Sequence, residues 1–289
     1  MLSNTDLLSQ SADVLKCNSS IAKDYVFPIA SSFISAFLGV AAAKLTFRHQ
    51  EKVRAEINKV SSLNKLIIKM GEARAALLAI KHNYNDLTQT NFVLRAMEIP
   101  PILLGDYKIE NNTSELSFLI DKNPDYKASE YDKTWVNIQR VGMMVNNYHQ
   151  VYNMISKRNE LCIDVHEKIA EFQKKHKTPE NTGLSISDLI KIVGHGNMVA
   201  FCDLTQSFVS FLDDVLFEIN DFMFKFPEQA NGKIDSKLIK GYCMVIKYKE
   251  DGLICKRTVD LDYSSAAQLM GLSVGAVKEK YDFGFKRTT

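Results

Sequence analysis

Glycine and proline are scarce in this chain, at 13 and 6 of 289 residues. Such counts exclude collagen-like and Pro-rich architectures, and they argue against a fold of short strands and tight turns. Net charge is nearly absent as well: 36 basic against 34 acidic residues leave +2, so no global attraction to a polyanion follows. The five cysteines (Cys17, Cys162, Cys202, Cys243, Cys255) form no C-x-x-C pair, and an odd, scattered set fits a reducing compartment better than a disulfide framework. Zinc needs clustered thiolates and imidazoles, and His49, His82, His149, His166, His176 and His195 lack that spacing. No metal or other cofactor is therefore expected. The sequence also has no nucleophile elbow, kinase signature, Walker loop or G-x-G-x-x-G. A non-enzymatic protein is the expectation.

Apolar residues are present in force. A hydrophobic fraction of 46% suffices for a buried core and excludes global disorder, while a mean hydropathy of -0.14 excludes a polytopic transporter. That average hides an uncharged run over residues 25–43, Tyr-Val-Phe-Pro-Ile-Ala-Ser-Ser-Phe-Ile-Ser-Ala-Phe-Leu-Gly-Val-Ala-Ala-Ala. As a helix it would rise about 28 Å, against a hydrocarbon core of roughly 30 Å. Extension through Leu45-Thr46-Phe47, with Lys44 snorkelling, closes the gap. Pro28 falls in the first turn, where its missing N–H costs little, and Tyr25 sits where an interfacial aromatic belongs.

Three readings of this run compete. A buried soluble helix should show a polar face, and the run has only serines. A signal peptide would use Ala41-x-Ala43 as its cleavage site, but the preceding region carries more acids (Asp6, Asp13, Asp24) than bases (Lys16, Lys23). A membrane anchor fits best. Lys44, Arg48, Lys52, Arg54, Lys59 and Lys65 follow the run, so the positive-inside bias places the short tail outside and the bulk of the chain in the cytoplasm. Within the run Ser31, Ser35, Gly39 and Ala43 recur every four residues as a small-residue ridge. Such ridges let helices approach closely in lipid, which predicts a homo-oligomer; the competing reading is that small residues are simply common in membrane helices.

Downstream, Val60, Leu63, Ile67, Met70, Leu77 and Tyr84 keep helical spacing, interrupted at seam positions by Arg74 and Lys81. This predicts that the membrane helix continues as one rod until Pro100-Pro101 ends the region. Residues 105–133 read as a polar loop around a short apolar element at 116–120. A cleaner heptad stripe follows the sole Trp135: Ile138, Val145 and Tyr152 alternate with Val141, Tyr148 and Ile155. It serves as a core or association stripe, with core packing the commoner use of such periodicity. A third, Phe-rich helix is expected over 187–224, capped by Ser185 or Ser187. Residues 192–212 contain one formal charge, Asp203, which leaves a second span as an alternative.

After the linker at 229–232, residues 242–248 and 253–259 flank Glu250-Asp251-Gly252 and predict a β-hairpin. Residues 264–281 then read Ser-Ser-Ala-Ala-Gln-Leu-Met-Gly-Leu-Ser-Val-Gly-Ala-Val-Lys-Glu-Lys-Tyr. Ala267 supplies a close crossing, Gly271 a turn, Leu272 packing beneath it, Ser273 a cap, and Val277 a contact back into the pair. With these residues the stretch resembles helix-turn-helix DNA-binding modules. The resemblance implies phosphate contacts by Lys278, Lys280, Lys286 and Arg287. It departs from that pattern at Lys280, near which the family has an apolar residue. Residues 240–289 hold nine bases and six acids, a weak footprint for nucleic acid, so a structural cap on the bundle is the alternative.

The expected fold is therefore mainly α. It comprises a tail (1–24), a transmembrane helix (25–47), a cytoplasmic helical bundle (48–230), and a β-hairpin with a helix-turn-helix-like cap (238–289). This layout resembles the single-span membrane effectors of bacterial anti-phage systems, including those that accompany retrons. The resemblance implies a triggered effector that perturbs the bacterial inner membrane, held silent by a protein or nucleoprotein regulator. A membrane-tethered scaffold or a membrane-bound DNA-binding regulator are the alternative expectations.

Overall fold

The computed structural model of the chain describes residues 26–105, 109–110, 113–120, 132–176, 183–248 and 256–281. Its helices are α1 (Phe27–His82), α2 (Phe92–Glu98), α3 (Ile138–His176), α4 (Ile186–Val193), α5 (His195–Asn231), α6 (Tyr263–Met270) and α7 (Val274–Tyr281), with a 3-10 turn at Thr113–Leu119. The chain divides into two compact units, Met1–Ile57 and Asn58–Thr289. In the first unit the described residues are the N-terminal half of α1, with Pro28 in its first turn.

In the second unit the expected seam of α1 is buried: Val60, Leu63, Ile67, Met70 and Leu77, followed by Tyr84 just beyond the helix. Arg74 and Lys81 are buried on the same side despite their charge. The helix ends well before Pro100-Pro101. Asn83 turns back and donates from Nδ2 to the Ala79 and Ile80 carbonyls, both at 3.0 Å, satisfying acceptors that the last turn leaves open. The prolines instead follow the separate short helix α2, which Asn91 caps by accepting from the Val93 and Leu94 amides.

Helices α3 and α5 pack along each other and form the centre of this unit. Val141, Val145, Tyr148 and Ile155 are buried there, whereas Ile138 and Tyr152 are half-buried. The stripe continues through Arg158, Cys162 and Val165. Trp135 is fully buried at its start. Its indole Nε1 donates to Asp221 at 2.9 Å, its ring meets Phe222 edge-on, and the Arg140 guanidinium lies 3.7 Å from the ring centroid. The third helical stretch is broken in two. Ser185 caps α4, and Gly194 takes φ 89° between α4 and α5, a conformation that strains any residue with a Cβ. Met198, Phe201, Phe208 and Leu212 of α5 are buried in protein, which is where the alternative second span would have needed lipid.

The β-hairpin expectation is corrected. Its turn lies outside the described residues, but 242–248 and 256–262 run without strand pairing. Side chains of the helices take the place of a partner strand. Asn64 donates to the Met244 carbonyl and accepts from the Ile246 amide, each at 2.9 Å. Asp213 accepts from the Thr258 amide at 2.7 Å, and the Thr90 carbonyl accepts from Asp262 N at 2.9 Å. With these groups satisfied from other elements, the two segments run extended without a sheet.

One acid of the α3–α5 interface is set against its surroundings. Burial pushes the Glu218 carboxyl above its ordinary pKa, only partly offset by the Asn147 hydrogen bond of 3.1 Å and by Arg140. A raised folded-state pKa penalises the native state at neutral pH, and the penalty fades as pH falls through that value. Glu218→Gln is therefore expected to raise the melting temperature at pH 7, with the gain shrinking toward pH 5. A variant that melts lower than wild type at pH 7 would contradict this.

Candidate membrane span and association face

Residues 27–47 of α1 carry the features expected of a span. Helix α1 is long and apolar enough to cross a membrane, and none of its most apolar stretch is buried within the protein. Phe27, Phe33 and Phe37 are each about three-quarters exposed, at 73%, 74% and 75%. The polar atoms inside the run are partly satisfied by the helix itself. Ser31 and Ser32 hydroxyls donate to the Pro28 carbonyl, at 3.0 and 2.8 Å. The Ser35 hydroxyl, on the next turn, makes no hydrogen bond among the described residues, and the residue is exposed.

At about 100° per residue the run divides into two faces. Ser31, Ser32, Ser35, Ala36, Gly39, Ala42 and Ala43 fall on one side, and Phe33, Ile34, Phe37, Leu38 and Val40 on the other. Ser31, Ser35, Gly39 and Ala43 all stand uncovered. A Cβ added at Gly39 would meet nothing within 4 Å. A second helix could thus approach this face without displacing anything in the chain itself.

The other nominated residues are placed differently. The α3 stripe faces the protein's own core. In the C-terminal pair, Asp262 caps α6 and Gly271 ends it at φ 65°, while Ser273 Oγ accepts from the Ala276 amide at 3.2 Å. Ala266, Ala267, Leu269, Val277 and Tyr281 join a core cluster with Phe92, Cys162, Phe201 and Cys202. Leu272 is not packed beneath the turn but 46% exposed. Lys278 is exposed, whereas Lys280 is held by Asp203 at 2.7 Å, and Lys286 and Arg287 lie outside the described residues. Tyr281 Oη donates to Asp203 at 2.6 Å; burial first, and that hydrogen bond second, raise the phenol's pKa. His195 Nε2 lies 2.9 Å from the Leu269 carbonyl, tying the start of α5 to the end of α6.

Sequence reasoning missed two interior polar sites. Asp213 and Asp214 are buried: Asp213 pairs with Lys81, and Asp214 with Arg257 at 2.7 Å. Lys81 also donates to the Lys256 carbonyl. These pairs stand beside a cleft of about 590 Å³ lined by Lys81, His82, Tyr84, Lys256 and Arg257. Two of its cations are thereby neutralised. The only signal in the sequence was Lys81 interrupting an apolar seam. Arg158, fully buried beside the end of α2, is the second site. Among the described residues no three His, Cys, Asp or Glu side chains are grouped to hold a metal ion.

Compared with family models, curated proteins and solved structures, the chain finds no match in any of the three.

Proposed function

We propose that this protein is a membrane-anchored, self-associating, non-enzymatic effector that perturbs the bacterial inner membrane when triggered, as in abortive infection against phage. The observation that carries the reading is the two-faced, uncovered run of α1. One side is small enough for helices to approach, and the other is bulky enough to face lipid. The excess of bases after the run orients it with the tail outside and the helical unit in the cytoplasm. A protein or nucleoprotein regulator then acts on the cytoplasmic unit.

Induced expression of the full chain in bacteria, followed with a membrane-potential dye, tests this. Depolarisation is the expected result, and it should not depend on any catalytic residue. Expression that leaves the potential intact, with and without phage challenge, would return the chain to the tethered-scaffold reading.

A further inference from the structure

The small-residue face has a counterpart just past the end of the run. Lys44, Arg48 and Lys52 are spaced by four on α1, so they share an arc of about 80° and spread over about 12 Å of helix axis. All three are exposed and make no ion pair among the described residues. Their direction is what matters. Carried back along the helix at about 100° per residue, this stripe lies over Phe33, Ile34 and Phe37 and opposite the middle of the small-residue face. Thr46, Gln50 and Val53 continue the small-residue side instead.

Two consequences follow from that arrangement. Helices that meet through Ser35 and Gly39 keep these three charges out of the seam, where like charges would repel. Lys44 and Arg48 stand at the depth of the lipid phosphates, and Lys52, on the same side further along, is long enough to reach back toward them. Lys44 is within snorkelling reach of the interface and Arg48 stands one turn further on, while the headgroup layer is only about 5–8 Å thick on each side. Cations there meet anionic headgroups in a medium of low dielectric, and an arginine adds a planar fork that matches phosphate oxygens. Glu51 and Glu56 are the acids that flank the stripe, which leaves an excess of one positive charge on that side.

We infer that Lys44, Arg48 and Lys52 form a binding site for anionic phospholipid headgroups on the lipid-facing side of α1. The site rests on the membrane reading of residues 27–47. It ties an assembly of these helices to an annulus of anionic lipid in the cytoplasmic leaflet.

The test uses the full-length chain, reconstituted in mixed phosphatidylcholine and phosphatidylglycerol bilayers. The lipid retained on extraction is counted by mass spectrometry. The wild type should be enriched in phosphatidylglycerol over the bulk mixture, less so at high salt. Combining Lys44→Gln, Arg48→Gln and Lys52→Gln should remove the enrichment, at roughly fivefold per cation at low ionic strength. Adding Thr46→Lys and Gln50→Lys to that variant returns two charges on the opposite side, and the enrichment should stay lost. Unchanged enrichment in the triple variant overturns the site, and so does recovery in the relocated one, since either result makes position irrelevant. Displacement of the lipid by millimolar inorganic phosphate also overturns it, in favour of a free-anion site. Carbonate washing separates the two levels. A wild-type chain stripped from membranes sinks the span as well, whereas one that resists the wash without lipid preference sinks only the lipid site.

Discussion

Arg158→Ala is expected to destabilise the helical unit by about 3–5 kcal/mol, from buried carbonyls left without a donor and the cavity of a large side chain. Arg158 is completely buried, and among the described residues no carboxylate accompanies it. Its guanidinium instead gathers the carbonyls at the end of α2. Nη2 donates to Ala96 at 3.0 Å and to Ile99, Nη1 donates to Pro100 at 2.7 Å, and Nε reaches Thr205 Oγ1 at 3.3 Å. The cation lies over the Phe201 ring, 5.1 Å from its centroid. Pro100 cannot continue the helix, so α2 ends with open acceptors in a water-free place, and a cation there also meets the negative end of the helix dipole. Burial lowers the arginine's pKa, with the neighbouring Cys162 and Cys202 acting weakly in the other direction.

Truncation would orphan those carbonyls as well as open a cavity. Arg158→Lys should recover little, because a single ammonium cannot span acceptors set in a planar fork. Thermal melts of both variants in detergent check this. A lysine variant as stable as wild type would show that charge alone suffices.

Gly39→Leu is the second large effect, and it should act on assembly while leaving the fold alone. A Cβ at this position meets nothing within 4 Å, and leucine is the better helix former by roughly 0.8 kcal/mol. In lipid it would hold partner helices apart. Chemical crosslinking in membranes should therefore show at least tenfold weaker association, about 1.4 kcal/mol, and the depolarisation expected of the wild type should disappear with it. Ser35→Leu should do the same one turn away. Phe37→Leu, on the opposite face, is the control and should leave both readouts intact. Equal effects at Gly39 and Phe37 would remove the small-residue face from the account.

Much of the fold was legible from local pattern. An apolar residue every three or four positions placed α1, α3 and α5, because burial of one helical face depends only on periodicity along the chain. Gly271 was legible as a turn for the same local reason, since a backbone at positive φ suits glycine, whereas the break at Gly194 falls inside one expected helix. What escaped depends on partners distant in sequence. Residues 242–248 and 256–262 have the composition of strands, but whether such a segment enters a sheet is decided by what satisfies its backbone. Here Asn64 and Asp213 do so from helices far away in the chain. Lys81 looked like an interruption of an apolar seam and Arg158 lay beyond the heptad stripe, and only the packed structure shows the carboxylate and the carbonyls that make their burial tolerable.

The scarcity of glycine and proline, with the charge-free run, by itself determined a helical chain with one segment suited to lipid, because composition and period act within a single helix. Tertiary structure alone decided which charges are spent inside. It takes Lys280 into an ion pair with Asp203, leaves Leu272 exposed, and makes the C-terminal helices part of the core. These outcomes depend on which surfaces meet, and no window along the sequence contains both members of such a pair.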